Sequence, residues 1–126
     1  MTVRIMIVDD NAHFLAAARD LLENQGLAVV AVASTGDESA RLVDELRPDG
    51  VLVDVDLGPE SGFDVARRLI GEHGVPVVLI SAYSEAEFAD LVLASPARGF
   101  IPKAELSAGR VTALIDDRSS APPGPD

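Results

Sequence analysis

The chain has 126 residues, enough for one domain whose core folds without staples, and its net charge of −11 excludes the basic face that gripping nucleic acid directly requires. Cysteine is absent, which removes disulfides and thiolate metal sites and points to a reducing, cytoplasmic setting. No stretch is apolar for long enough to cross a membrane, and the short apolar start, interrupted by Arg4 and running into Asp9 and Asp10, does not read as a cleavable signal.

Taken in chain order, strand-like apolar runs alternate with amphipathic helical runs, the pattern of a parallel sheet covered by helices on both faces. Val3 to Val8 reads as the first strand, and Phe14, Ala18, Leu21 and Leu22 mark a helix after it. Leu27 to Ala33 is a second strand. Thr35 and Glu38 then form a capping-box pair ahead of a helix whose stripe is Leu42, Val43 and Leu46. Gly50 to Val53 is a short buried-type strand. Ser61 with Asp64 predicts the next helix start, followed by Ala66, Leu69 and Ile70. Val75 to Ile80 is the fourth strand; Ser84 with Glu87 starts a fourth helix carrying Phe88, Leu91 and Val92. Gly99 to Ile101 is the fifth strand, and a last helix is expected over Glu105 to Asp116, where Gly109 costs about 1 kcal/mol against Ala. From Ser119 the chain reads Ser-Ser-Ala-Pro-Pro-Gly-Pro-Asp, without apolar periodicity, and is expected to be a disordered Pro-rich tail or linker over 119–126. The two histidines, His13 and His73, have no ligand-like companions and read as exposed helix residues.

In a parallel sheet, binding groups collect past the carboxyl ends of the strands. Asp9 and Asp10 follow the first strand, Asp54 and Asp56 the third, Ser81 the fourth and Lys103 the fifth. Carboxylates brought within about 4 Å repel by roughly 4 kcal/mol per pair at an effective dielectric near 20, so this cluster calls for protons or a cation. A hard divalent ion such as Mg²⁺ accepts oxygen ligands and often bridges carboxylates to a phosphoryl group. Lys103, the one lysine among ten basic residues, supplies an ammonium opposite them, and Ser81 a hydroxyl donor, which together suit a transferring phosphoryl group.

The acidic pair after the first strand, Asp54 with Gly62 eight positions later, Ser81-Ala82 and Lys103 resemble the receiver domain of two-component response regulators. The likeness runs from about Val3 to Ile115, with the receiver domain taken as 1–118. It implies a flavodoxin-like, doubly wound five-stranded parallel sheet of order 2-1-3-4-5. It implies that Asp54 accepts a phosphoryl group and that Asp9, Asp10, Asp54 and the main-chain carbonyl of Asp56 hold Mg²⁺ (or Mn²⁺). Lys103 and Ser81 contact the phosphoryl oxygens in that pattern, and Phe100 stands where the family keeps an aromatic that follows the hydroxyl's movement. The implied partners are a sensor histidine kinase or phosphotransfer protein and a downstream target or output domain, with dimerisation on phosphorylation a further expectation; neither nucleic acid nor a membrane is expected to bind directly.

The sequence departs from the family pattern in the loop Val55-Asp56-Leu57-Gly58-Pro59, where proline comes one position late, and at Lys103, which follows a proline instead of preceding one. Phe100 lacks the hydroxyl of a tyrosine, so a switch there works by packing alone. Asp56 points opposite to Asp54 if the strand continues, which favours its carbonyl over its side chain as a ligand and leaves the carboxylate to tune water access. Two other readings stand beside the receiver: a phosphorylation-independent pseudo-receiver that serves as an interaction module, and a haloacid-dehalogenase-like phosphatase using Asp54 and Asp56 as nucleophile and general acid.

Overall fold

The computed structural model describes residues 2–116, and the expected tail over 119–126 lies outside the described residues. Strand β1 (Arg4–Val8) leads into α1 (Ala12–Asn24), then β2 (Ala28–Ala33), α2 (Gly36–Leu46) and β3 (Gly50–Asp54). A two-stranded hairpin, β4 (Asp56–Leu57) and β5 (Glu60–Ser61), precedes α3 (Gly62–His73). Then come β6 (Val77–Ser81), α4 (Ala89–Ala94), β7 (Gly99–Pro102) and α5 (Ala108–Ile115). The main sheet is parallel with order β2-β1-β3-β6-β7, and setting the small hairpin aside this is the flavodoxin-like 2-1-3-4-5.

Alternation along each strand divides the core in two, because successive side chains leave opposite faces of a pleated strand. Met6, Val8, Val51, Val53, Val77 and Leu79 pack under α2 and α3 with Val43, Ala66 and Leu69. Ile5, Ile7, Leu52, Val78 and Ile80 pack on the other face against Ala18 and Leu22 of α1 and Val111 and Ile115 of α5. The central strands are buried on both faces, which is why they read as unbroken apolar runs.

Several local expectations change. Leu21 and Leu91 are more exposed than their helical stripes suggested, since the burial line of α1 runs through Ala18 and Leu22 and that of α4 through Val92. Ser61 precedes α3 but its side chain makes no capping hydrogen bond, because its residue is also the last of the hairpin, paired with Asp56. The Ser84–Glu87 capping box is formed, yet it opens a 3₁₀ turn over Glu85–Phe88 before α4 begins. The last helix starts later than expected: Lys103–Glu105 form a 3₁₀ turn, and Ser107 caps α5 by accepting from Arg110 N at 3.1 Å. His73 is not a free surface residue, since its mostly buried ring lies 2.7 Å from Asp44 Oδ1 and ties α3 to α2. The hairpin was not anticipated.

Candidate functional site

Strand order reverses between β1 and β3, so the helices that follow them, α1 and α3, lie on opposite faces and a crevice opens past the carboxyl ends of these two strands. Asp9, Asp10 and Asp54 all sit there. Register Val8↔Val53 brings the ends of β1 and β3 level, and the hydrogen bond from Asp9 N to Ala33 O carries the pairing with β2 one residue further. Carboxylate oxygens of the three aspartates lie within 4.8 Å of one another.

Each group is held from a different element. Asp9 is fully buried; its Oδ1 accepts from Asn11 N at 2.9 Å, and Asn11 in turn caps α1 by accepting from Phe14 N. Asp54 is buried, and its Oδ1 accepts from Asp56 N at 3.1 Å. Lys103, delivered by the turn after β7, places Nζ 2.7 Å from Asp9 Oδ2 and 3.1 Å from Asp54 Oδ2. The same ammonium stands 4.2 Å from the centre of the Phe14 ring, an attraction between cation and ring face that helps fix it. Ser81 is buried at the end of β6, where its Oγ accepts from Tyr83 N at 3.0 Å and keeps its own proton free to donate. Asp10 is exposed, and a side chain added at Gly58 would begin 3.1 Å from its Oδ2, so the hairpin turn lies beside that carboxylate.

Two more residues singled out in the sequence have side chains away from the carboxylate cluster. Asp56 is exposed, with its Oδ1 accepting from Gly58 N at 3.2 Å, so its carboxylate is turned into its own loop. Phe100 is buried with the core on the α2–α3 side; its ring centre is 6.3 Å from that of Phe88, which is 6.0 Å from Phe63. Phe14 and Asn11 were missed in the sequence. Asn11 carried a usable signal, an amide side chain directly before an apolar helical run, whereas nothing in sequence spacing links Phe14 to Lys103 across 89 positions.

Gly62 is required by close approach. A Cβ there would lie 1.8 Å from the carbonyl oxygen of Asp54 and 2.6 Å from Val55 Cα, because Gly62 N donates to Val55 O at 2.8 Å and draws α3 against the strand that carries Asp54.

The electrostatics fit a cation. Burial pushes the Asp54 carboxyl above its ordinary range and the nearby Asp9 charge adds to this, while the Asp56 amide and Lys103 pull it back. Burial works against the charge on Lys103, but the Asp9 and Asp54 carboxylates outweigh it and hold the ammonium above its ordinary pKa. Asp9 Oδ2 is buried, and among the described residues the Lys103 ammonium, 2.7 Å away, is the group that meets it. A buried anionic oxygen met only by the Lys103 ammonium, beside two more carboxylates, is a donor set for a hard oxygen-seeking divalent ion. A separate cavity of about 540 Å³ opens at the other end of the sheet, lined by Arg4, Asp49, Pro76 and Arg98, and takes no part in this cluster.

Comparison with known proteins agrees with this arrangement. The family model of the response regulator receiver domain matches residues 5–116. The DNA-binding response regulator MtrA of Mycolicibacterium paratuberculosis is 37% identical over 103 residues, 82% of this chain and 45% of that protein. A protein-glutamate methylesterase/protein-glutamine glutaminase of Oceanobacillus iheyensis is 36% identical over 85 residues, 67% of this chain and 24% of its own length. The chain therefore spans less than half of these curated relatives. Among solved structures, a LuxR-family two-component response regulator from Aurantimonas superposes with TM-score 0.82 at 30% identity, covering 92% of this chain and 86% of that one. The signal receiver domain of the response regulator NarL from Mycobacterium tuberculosis gives TM-score 0.81 at 26% identity, covering 93% and 98%. Receiver domains of this family bind Mg²⁺ through an aspartate cluster and receive phosphate from histidine kinases. With the fold, the switch-point carboxylates and the family match in agreement over nearly all of the described residues, the chain belongs to the response regulator receiver domain family.

Proposed function

We propose that this domain accepts a phosphoryl group on Asp54 from a phosphohistidine donor, assisted by Mg²⁺ (or Mn²⁺), and thereby acts as a signalling switch without metabolic turnover. The observation that carries the reading is the convergence of the Asp9, Asp10 and Asp54 carboxylates within 4.8 Å with Lys103 bridging Asp9 and Asp54. An Asp54 carboxylate oxygen forms a bond to phosphorus as the phosphorus–nitrogen bond of the donor breaks, and the departing imidazole keeps the electron pair and takes up a proton. Asp9, Asp10, Asp54 and the Asp56 carbonyl are the groups assigned to the cation. That cation, when bound, neutralises charge on the transferring group and orients it.

The chain's own residues supply the rest. The Asp56 amide steadies Asp54 by donating to Oδ1, leaving the carboxylate fixed for attack. Lys103 already neutralises Asp9 and Asp54, and the phosphoryl oxygens give its ammonium a stronger anion to follow. Ser81 has an unused proton for a phosphoryl oxygen, and turning that hydroxyl releases the Tyr83 amide. The segment after Ser81 leads through the half-buried Phe88 to the buried Phe100, a route by which a small movement at the hydroxyl alters the α4 face. Phe100 acts in this scheme as packing that follows the hydroxyl. Partner choice at that face, including dimerisation on phosphorylation, belongs to the output and not to the phosphotransfer chemistry. Cytoplasmic operation is part of the same reading, because a sensor kinase presents its phosphohistidine there.

The pseudo-receiver reading lacks support, since acceptor, acidic pair, hydroxyl and lysine are all present and the first, second and last are gathered. The phosphatase reading needs Asp56 as a general acid, and its carboxylate is engaged by Gly58 N. Incubation with acetyl phosphate and Mg²⁺, followed by intact-protein mass spectrometry, tests the proposal: wild type gains one phosphoryl group and Asp54→Asn gains none. Acid-labile labelling of Asp54→Asn at the wild-type rate overturns it.

A further inference from the structure

The hairpin that follows Asp54 is tied down at a point the phosphotransfer scheme does not use. Glu60 sits on β5, opposite Leu57, and both of its carboxylate oxygens accept from Gly36 N, at 2.9 Å and 3.1 Å. Gly36 is the first residue of α2, so a side chain 24 positions away satisfies one of the amides that every helix start leaves without an intrahelical partner. The local caps of α2 are used elsewhere: Thr35 accepts from Glu38 N, and the Glu38 carboxylate accepts from Ser34 N. Among the described residues no other acceptor is bonded to Gly36 N, and a Cβ at Gly36 would lie 2.8 Å from Glu60 Oε2 and 3.0 Å from Val65 Cγ2, so an added side chain there crowds this carboxylate.

The other strand of the hairpin borders the cation site. Asp56 N donates to Asp54 Oδ1, Asp56 pairs with Ser61, and Gly58 in the turn lies against Asp10 Oδ2. The hairpin is only two residues long on each side, too short to hold itself, and is held by the buried Leu57, by Gly62 N on Val55 O, and by Glu60 on α2. The first two anchor its base and inner strand; Glu60 ties the outer strand to the start of α2.

We infer that Glu60 is a positioning residue for the cation site: by capping α2 it holds the hairpin so that the Asp56 carbonyl and the Gly58 turn face Asp10 and Asp54. The inference rests on the Mg²⁺-assisted reading above. Its consequence is that the α2 start and the cation are linked, since whatever moves one shifts the other through Glu60.

The test is titration of the unphosphorylated protein with Mg²⁺ alone at fixed ionic strength, followed by backbone amide shifts, with melting curves to show that each variant is folded. Glu60→Ala is expected to weaken Mg²⁺ binding about tenfold, the loss seen when an outer support of a metal site is removed. Glu60→Gln, whose amide oxygen still accepts from Gly36 N, recovers most of that loss. Gly36→Ala displaces the carboxylate and reproduces the Glu60→Ala defect, and the double variant is no weaker than either single one. If Glu60→Gln binds as poorly as Glu60→Ala, the effect is the lost charge and the positioning role is wrong; Mg²⁺ affinity unchanged in Glu60→Ala, or additive losses in the double variant, also overturn it. A wild type that binds no Mg²⁺ near Asp10 and Asp54 removes the phosphotransfer reading and this inference together, whereas wild-type binding equalled by Glu60→Ala removes only the inference.

Discussion

Replacing Gly62 with alanine tests how tightly the start of α3 is bound to the acceptor strand. The new Cβ would lie 1.8 Å from Asp54 O, and an acceptable carbon–oxygen contact is roughly 3.3 Å, so the two chains must separate by about 1.5 Å. That movement stretches the 2.8 Å bond from Gly62 N to Val55 O beyond hydrogen-bonding range. Overpacking costs about 1–3 kcal/mol and a buried backbone bond left unmade about 1–3 kcal/mol more, for a loss of about 2–6 kcal/mol in urea-melt stability. Because the displaced atom belongs to Asp54 itself, phosphorylation by acetyl phosphate slows as well, by about a hundredfold for a 1 Å misplacement. The control is Gly71→Ala in the same helix, where a Cβ meets nothing within 4 Å; it should stabilise by about 1 kcal/mol through helix propensity. A Gly62→Ala protein within about 0.5 kcal/mol of wild type, phosphorylated at the normal rate, refutes the reasoning, since neither the contact nor its link to Asp54 would then be real.

Three other outcomes are expected. In metal-free protein, Asp54 binds its proton more tightly folded than unfolded, so its contribution to stability falls as pH rises from its ordinary value of 3.8 through the raised folded value. Asp54→Asn removes that downward step, and urea melts across this window read the difference; a wild type whose stability climbs no less steeply than the variant's contradicts the shift. Lys103→Ala leaves the buried Asp9 and Asp54 carboxylates without their shared counterion, so the metal-free protein loses about 1–3 kcal/mol at neutral pH and binds Mg²⁺ more tightly, while its phosphorylation slows. Calorimetric Mg²⁺ titration and labelling rates measure both halves of that claim, and weaker Mg²⁺ binding in the variant contradicts it. Mg²⁺ at a hundred times its dissociation constant raises stability by about 2.7 kcal/mol, a gain that chelation reverses and that Asp10→Asn largely lacks; an equal gain in Asp10→Asn rules that carboxylate out as a ligand.

The arrangement of layers was legible because it depends on short-range pattern. Apolar runs such as Gly50 to Val53, short and bounded by Pro or Gly, read as strands buried on both faces, and the stripes around Val43 and Leu69 as helix faces. The site was legible as a set of strand-end residues, since Asp9, Asp10, Asp54, Ser81 and Lys103 each directly follow or end an apolar run. What escaped was set by contacts between distant segments. The hairpin after Asp54 has too few residues to show a strand period, and Ser61 carries a capping signal that its hairpin pairing overrides. Leu91 looked like core from its spacing, but α4 is six residues long and buries none of them, with Val92 packed against the core and Leu91 exposed.

By itself the sequence determined the order of the main strands and helices and which side chains stand at strand ends, because hydrophobic period and strand-end position are properties of neighbours along the chain. Only the tertiary structure decided that Lys103 bridges Asp9 and Asp54 over the face of Phe14, that Asp56 turns its carboxylate into its own loop, and that Glu60 caps α2. Those relations depend on distances between side chains tens of residues apart, which are fixed when sheet order and loop packing bring the segments together and have no counterpart in linear spacing.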